Sequence, residues 1–144
     1  MQRKLNKIAK DTNLFLRRFI AKQKKSNLIV AMKYGLFSGG KKIRSKILID
    51  VGSLFKLDYR TLIVIGAAVE CIHAYSLIHD DLPCMDDDSI RRGKPSAHVK
   101  FGEATAVLAK TAVASPNLTC ADGLPLLIES SSIHGKSSCI NEYA

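Results

Sequence analysis

The sequence lacks tryptophan, and aromatic residues as a group make up only 6% of its 144 residues. Proteins that bind nucleic acid by stacking need more of these side chains, interleaved with basic ones. Neither a zinc-finger spacing nor an RNP-type pattern occurs. We therefore expect no nucleic-acid partner.

Closely spaced cysteines are also lacking. The four cysteines, Cys71, Cys84, Cys120 and Cys139, form no CxxC pair, so neither a zinc site nor a redox pair is indicated. A reduced compartment fits this usage best. The N-terminus has no apolar segment of the kind that secretory signals carry. The sequence predicts a cytoplasmic protein.

Acidic residues are scarce at the start of the chain. From Arg3 to Lys46 there are fourteen lysines and arginines against one acid, Asp11. Such an excess of positive charge attracts nucleic acid, an anionic membrane or a phosphorylated small molecule. The scarcity of aromatic residues makes the first of these the weakest.

Long apolar runs are few, and Thr61–Ile78 is the most apolar stretch of the chain. It is nearly long enough to cross a membrane. Glu70 and His73 lie within it, and ionisable groups are costly at membrane depth. We expect a buried core helix and no membrane span.

Acid is concentrated directly after this run, with five aspartates within nine positions: Asp80, Asp81, Asp86, Asp87 and Asp88. Like charges repel, and burial of each is costly without compensation. A divalent cation supplies that compensation, and sites made of carboxylates suit Mg²⁺. The alternative is an acidic loop that pairs internally with Arg91 and Arg92. That alternative leaves the apolar helix before the loop unexplained.

Pro83 determines whether these acids can act together. In a continuous helix Asp86 would lie about 240° around the axis from Asp80, too far to share a cation. Proline disrupts the helix just past Asp81. A bulge at Pro83 can therefore return Asp86 to the side of Asp80.

A second informative stretch, residues 39–44, reads Gly-Gly-Lys-Lys-Ile-Arg. Glycines end a helix and allow the backbone to approach a ligand. We expect the next helix to begin near Lys41, where its N-terminus attracts anions. Lys41 and Arg44 then point the same way and hold a phosphate or diphosphate. Taken alone, the stretch is better explained as a glycine cap followed by solvated lysines.

His73 and Asp80 are seven residues apart, close to two helical turns, and therefore share a face with Ser76 between them. Alone, His73 would more often be a core histidine with a satisfied hydrogen bond. Its alignment with the acidic cluster favours a functional role.

Apolar periodicity and breakers predict an all-α fold. The expected helices cover residues 3–23, 26–37 with Ser26 as N-cap, about 41–55, 60–79 and 101–114. Residues 115–144 are rich in serine, contain Pro116 and Pro125, and show no sustained period. We expect a helical domain over residues 1–114 and an irregular tail over 115–144.

Three stretches together resemble the bacterial short-chain (farnesyl-type) polyprenyl diphosphate synthases. They are residues 39–44, residues 73–88 and the Arg-Arg-Gly-Lys-Pro run at 91–95. The resemblance implies a bundle of antiparallel helices around a deep cavity, usually as a homodimer. It also implies a reaction in which an allylic diphosphate ionises, isopentenyl diphosphate attacks the cation and a proton is lost.

The resemblance assigns roles residue by residue. Asp80, Asp81 and Asp86 would act in catalysis by holding Mg²⁺ on the allylic diphosphate. Arg91 would contact that diphosphate. Isopentenyl diphosphate would be bound by four residues: Lys41, Arg44, His73 and Arg92. Residues just upstream of the first aspartate limit product length in the family, and here these are Tyr75 and Ser76.

The resemblance carried by the motifs ends near Ala109, and the family's second aspartate-rich motif does not follow. We therefore expect a truncated synthase, with a disrupted reading frame near residue 110 as one cause. Two functions stay open. One is a prenyltransferase impaired by truncation. The alternative is a non-catalytic remnant or helical interaction subunit of a full-length synthase.

Overall fold

The computed structural model describes the backbone of residues 2–114 and the side chains of residues 5–114. This part of the chain contains six helices and one short hairpin. They are α1 (Gln2–Ala21), α2 (Asn27–Leu36), α3 (Ile43–Leu54), α4 (Tyr59–Asp80), β1 (Ile90–Arg91), β2 (Lys94–Pro95), α5 (Ala97–Phe101) and α6 (Glu103–Ala114). The all-α prediction is confirmed. The tail predicted over 115–144 lies outside the described residues.

The first helix is amphipathic, as its sequence pattern predicts. Its buried positions recur every four residues at Ile8, Thr12, Leu16 and Ile20, so that they form one stripe along the helix. This stripe faces α4 and α3. The lysines and arginines between these positions stay on the solvent side.

The second helix begins where the sequence predicts a cap. Ser26 has an extended backbone, and its Oγ accepts a hydrogen bond of 3.3 Å from the Ile29 N–H. This interaction satisfies one of the helix's unpaired donors. The helix then buries Ala31, Met32 and Leu36 against α4 and α6.

The fourth helix is the centre of the fold, because α1, α2, α3 and α6 all pack against it. By length and composition it is apolar enough to cross a membrane, but 50% of its most apolar window is buried inside the protein. Nine of its residues are buried, Glu70 among them. Packing against four neighbours accounts for its apolar sequence.

A small residue brings α3 and α4 together. A Cβ atom added to Gly66 would lie only 3.2 Å from the Cβ of Ser45 on α3. The Ser45 hydroxyl therefore reaches the Gly66 carbonyl, to which it donates a hydrogen bond of 2.9 Å. This close approach fixes the start of α3 beside the middle of α4.

The structure differs from the sequence predictions after the acidic cluster. Ile90 pairs with Pro95 and Arg91 with Lys94 in an antiparallel hairpin. Its turn contains Arg92 and Gly93, whose positive φ angles are typical of two-residue hairpin turns. The sequence analysis missed this hairpin and α5.

The predicted helix over 101–114 is also divided. Gly102, with a φ of 84°, separates α5 from α6, because that conformation cannot continue a right-handed helix. Phe101 therefore ends one helix, and Glu103 begins the next.

Candidate functional site

The glycine-rich stretch forms a loop whose backbone is left-handed at three of four positions. The φ angles are +105° at Gly39, +111° at Gly40 and +51° at Lys42. A left-handed Lys42 cannot be part of the helix, so α3 begins at Ile43 rather than near Lys41. The predicted start is wrong for this reason. Lys41 lies exposed in the loop instead of on the first helical turn.

Glu70, a buried residue of α4, holds the end of this loop and the start of α3 in place. Its side chain is only 4% exposed. Oε1 accepts hydrogen bonds of 3.2 Å from both the backbone N–H and the hydroxyl of Ser45, and Oε2 lies 3.5 Å from the Lys42 ammonium. The carboxylate thus caps the first turn of α3 from a neighbouring helix, a task that usually falls to the N-cap residue itself.

Lys42 is a site residue that the sequence analysis missed. Its side chain is buried, and its ammonium also donates to the Leu36 carbonyl over 3.4 Å. The adjacent Lys41 and Lys42 look alike in sequence. Only the left-handed backbone and the position of Glu70 determine which of them turns inward.

Arg92 joins the loop from the hairpin. A Cβ atom added to Gly40 would lie 2.8 Å from one guanidinium nitrogen of Arg92, and one added to Gly39 would lie 3.6 Å from the same atom. The guanidinium therefore packs directly over the glycine backbone. Glycine is needed at residue 40 both for its φ angle and for this contact.

A pocket of about 180 Å³ lies between these elements. Its lining includes all four residues predicted to bind isopentenyl diphosphate, Lys41, Arg44, His73 and Arg92, together with Lys42. Five basic side chains from a loop, two helices and a hairpin therefore meet at one cavity. The structure brings the predicted residues together, while their role in binding stays a prediction.

The electrostatics of the pocket are visible at His73. Burial lowers the pKa of its imidazole, and the positive charges of Arg44, Arg92 and Lys42 lower the pKa further, while Glu70 opposes them. The ring is therefore neutral near pH 7. A neutral histidine leaves the pocket's positive charge to its arginines and lysines.

The acidic cluster is closed by backbone hydrogen bonds. The α4 helix ends at Asp80, and the Asp86 N–H then donates to the Asp80 carbonyl over 2.9 Å. Leu82 accepts from the N–H groups of both Met85 and Asp87. The predicted bulge around Pro83 is thus present, and it returns Asp86 to the end of α4 beside Asp80.

Asp81 takes a different direction. It is 2% exposed, and the Arg91 Nε lies 2.7 Å from both of its carboxylate oxygens. The hydrogen bond to Asp81 raises the pKa of the Arg91 guanidinium. Asp88 is a weaker partner, 3.9 Å away. The internally paired alternative therefore describes Asp81 and Arg91, whereas Arg92 contacts the glycine loop.

These contacts decide which residues suit a metal ion. Within residues 2–114, no three His, Cys, Asp or Glu side chains converge on one point to hold an ion by themselves. Mg²⁺ commonly binds through one or two carboxylates plus substrate phosphates. Asp80 and Asp86 are accessible and fit that chemistry. Asp81 fits it only if Arg91 moves away.

The two residues predicted to limit product length point to different sides of α4. The centroid of the Tyr75 ring lies 5.9 Å from that of the His79 ring. The Lys110 ammonium of α6 lies 5.2 Å from the centroid of the Tyr75 ring. The Ser76 hydroxyl donates to the His73 carbonyl. Ser76 lies one turn below Asp80 on its face, whereas Tyr75 faces α6. A role in product length stays a prediction for both.

Comparison with known protein families shows which proteins share the sequence and fold of this chain. The model of the polyprenyl synthetase family matches residues 25–129. The match extends past Ala109, so the resemblance covers more of the chain than the motifs alone indicate. Its last part lies outside the described residues.

Characterised relatives share the same part of the sequence. The chain is 57% identical over 91 residues to a farnesyl diphosphate synthase of Buchnera aphidicola, covering 63% of this chain and 32% of that protein. It is 50% identical over 111 residues to the Escherichia coli farnesyl diphosphate synthase, covering 76% and 37%. The chain thus spans about a third of the length of the curated relatives it matches.

Solved structures give the same result for the fold. A geranyltransferase from Legionella pneumophila superimposes with a TM-score of 0.72 at 42% identity, covering 76% of this chain and 39% of that one. A geranyltranstransferase from Thermotoga maritima gives 0.73 at 33% identity, with coverage of 76% and 42%.

The contact between Arg92 and the glycine loop predicts a specific effect of Gly40→Ala. The added methyl group would displace the guanidinium from the pocket, and we expect inorganic pyrophosphate to bind about tenfold more weakly. Calorimetric titration measures this affinity. Gly102→Ala is the matched control, since Gly102 also has a positive φ but nothing lies within 4 Å of the added atom. Equal affinity in wild type and Gly40→Ala would contradict the contact.

The charge of the pocket predicts a titration shift at His73. The free protein should show a pKa below 6.5, so stability from this group is present above that pH and is lost as the pH falls. Bound pyrophosphate offsets the arginine charges and should raise the pKa. NMR titration of labelled histidines measures both states. His79 is the internal control, because burial and Lys110, rather than the cations of this pocket, lower its pKa. If pyrophosphate changed the pKa of both histidines equally, the result would count against binding in this pocket.

Proposed function

Because the chain belongs to the polyprenyl synthetase family, we propose that it carries the first half of a prenyltransferase site. The pocket beneath the glycine loop would bind isopentenyl diphosphate. An allylic diphosphate would lie beside Asp80 with Mg²⁺. From its cysteine usage we further propose that the protein works in the cytoplasm, and from the family resemblance that it forms a homodimer.

One observation carries this proposal, namely that basic residues from three separate stretches of sequence line a single cavity. Arg44 follows the glycine loop, His73 lies on α4, and Arg92 belongs to the hairpin turn. Guanidinium groups bind phosphate oxygens through paired hydrogen bonds. A core built only for stability would not gather like charges around a cavity, because they repel one another.

The geometry of α4 supports two substrates side by side. His73 and Asp80 lie on one face, about 10 Å apart along the helix axis at 1.5 Å per residue. That spacing allows two diphosphate groups to occupy neighbouring positions. One would contact His73 and the arginines, and the other would lie at the end of the helix.

In the proposed reaction, the C–O bond of the allylic diphosphate breaks, and its electron pair leaves with the diphosphate. The double bond of isopentenyl diphosphate then forms a new C–C bond at that carbon, and a proton is lost. Asp80 and Asp86 would hold Mg²⁺, which when bound supplies positive charge that stabilises the departing diphosphate. Arg91 adds a guanidinium at the same end of α4, where it now holds Asp81 in place.

The hydrocarbon part of the substrate would lie along α4 below the aspartates. Ser76 and Ile72 precede Asp80 by one and two turns, and Ile72 is exposed to solvent in the described part of the chain. Ile72 offers an apolar side chain beneath the reacting carbon, and the small Ser76 lies between them. Exclusion of water from such a surface protects a carbocation from being quenched.

We expect Asp80→Ala to abolish the Mg²⁺-dependent gain in pyrophosphate affinity, because that gain requires a carboxylate at the end of α4. Titration with pyrophosphate, with and without Mg²⁺, measures the difference. Asp87→Ala is the control, since it removes a neighbouring exposed carboxylate that is not among the proposed Mg²⁺ ligands. If Asp80→Ala retains the full Mg²⁺ effect, the metal assignment fails.

For turnover with dimethylallyl and isopentenyl diphosphates, we expect little or no product from this chain alone. The 144 residues contain no second aspartate-rich stretch, and the chain spans about a third of its curated relatives. Product analysis with Mg²⁺ present tests this expectation. Robust formation of a farnesyl product would show that the first aspartate cluster suffices.

A second function is favoured by the outer face of α3. Ile43, Ile47 and Val51 recur every four residues and are 50%, 58% and 49% exposed. An exposed apolar stripe of this kind often marks a protein interface. The chain would then act as a helical interaction subunit of a full-length synthase.

This alternative predicts a complex with a full-length relative such as the Escherichia coli synthase. Ile47→Lys should abolish the complex, because a charge replaces an apolar contact at its centre. Leu14→Lys, at an exposed position on α1, should leave it intact. Light scattering after size-exclusion chromatography distinguishes these results, and two separate species in the wild-type mixture would exclude this function.

A further inference from the structure

A second and larger pocket, of about 360 Å³, adjoins the pocket at the glycine loop, which we call the diphosphate pocket. Residues of α2, the hairpin and α5 line it, together with Leu77 and Ile78 of α4. Leu77 and Ser38 line both pockets and so separate them. Asp81 and Arg91 also line this pocket, and the proposed prenyltransferase function uses none of its other side chains.

One wall of this pocket is apolar and firmly held. The rings of Tyr34 and Phe101 meet edge to face with centroids 5.3 Å apart. The Tyr34 hydroxyl donates a hydrogen bond of 2.7 Å to the Pro95 carbonyl, which ties α2 to the hairpin. Phe37 and Val30 extend the apolar surface. Such a preformed aromatic wall is typical of small-molecule sites.

Four cations surround the same cavity: Arg17, Lys33, Lys94 and Lys100. None of them forms an ion pair with a carboxylate among residues 5–114. Arg17 lies over the Phe37 ring at 4.4 Å, and Lys100 lies over the Tyr34 ring at 4.1 Å. These contacts place the charges at the edge of the apolar wall without neutralising them.

Asp81 is the one acid among the described residues of the lining, and it offers no compensation. Asp81 is already paired with Arg91. The remaining four positive charges are exposed at the rim of the pocket, where an anion would relieve their mutual repulsion. The pocket thus combines a positively charged rim with an apolar surface.

We propose that this pocket is a second ligand site, which takes a small amphiphilic anion. The ligand has a phosphate or carboxylate head for the lysines and an apolar body for the rings of Tyr34, Phe37 and Phe101. A cavity near the lower end of the usual size range accommodates a body of about ten carbons. Among the described residues, no Phe, Tyr or Trp lines the diphosphate pocket, so the two sites select different parts of a molecule.

Geranyl monophosphate is a suitable probe, because it has one phosphate and a ten-carbon chain. In calorimetric titration, the double variant Lys33→Gln/Lys100→Gln should bind it about tenfold more weakly than wild type. The matched control, Lys41→Gln/Arg44→Gln, removes two cations from the diphosphate pocket and should leave this affinity unchanged. NMR should show amide shifts in residues 30–37 and 94–101.

Two further measurements test the apolar half and guard against misfolding. Inorganic phosphate should bind at least tenfold more weakly than geranyl monophosphate, since it has no apolar body. Val30→Glu places a carboxylate at an exposed position in the lining and should also weaken binding, whereas Leu14→Glu should not. The proposal is overturned if only the Lys41/Arg44 variant loses affinity, if inorganic phosphate binds equally well, or if Val30→Glu binds like wild type.

Discussion

The buried carboxylate of Glu70 is the interaction on which the rest of this site depends. It lies on the central helix and binds both polar groups of Ser45 and the ammonium of Lys42. A buried carboxylate is tolerated only when such partners surround it, and removal of one partner from a buried pair typically costs about 3–5 kcal/mol. The start of α3, the left-handed Lys42 and the glycine loop are therefore positioned together. Glu70 also lines the basic pocket, so the shape of that pocket depends on the contacts of this one acid.

Several features could be predicted from the sequence because they rest on local rules. Ser26 caps a helix, proline interrupts one near Asp81, and a seven-residue spacing places His73 and Asp80 on one face. Each of these depends on neighbours within two turns. The motifs at residues 39–44 and 91–92 also identified the chemistry of the pocket, since glycines beside clustered cations suit a phosphate ligand.

Tertiary pairing could not be predicted in the same way. The sequence does not reveal that Lys42, rather than Lys41, turns inward, because the reason lies on a helix more than twenty residues away. Nor does it reveal that Asp81 pairs with Arg91 while Asp80 stays accessible. Adjacent residues on a helix point about 100° apart, and only the packing of the hairpin determines which of them meets a guanidinium. The division of the helix at Gly102 was missed because glycine can adopt either sign of φ. Its conformation here is determined by tertiary packing, which the sequence does not show.

The position of Arg92 over Gly40 links ligand binding to folding. These residues are far apart in sequence, and the guanidinium meets the loop only when the hairpin is folded against it. The unfolded chain therefore has no anion pocket, and any diphosphate bound there acts only on the native state. At a concentration of 100 times its dissociation constant, such a ligand would add about 2.7 kcal/mol to the free energy of unfolding. For a bundle with exposed apolar residues along α3, a diphosphate bound in this pocket would thus also act as a structural component, and the folded population would rise and fall with its concentration.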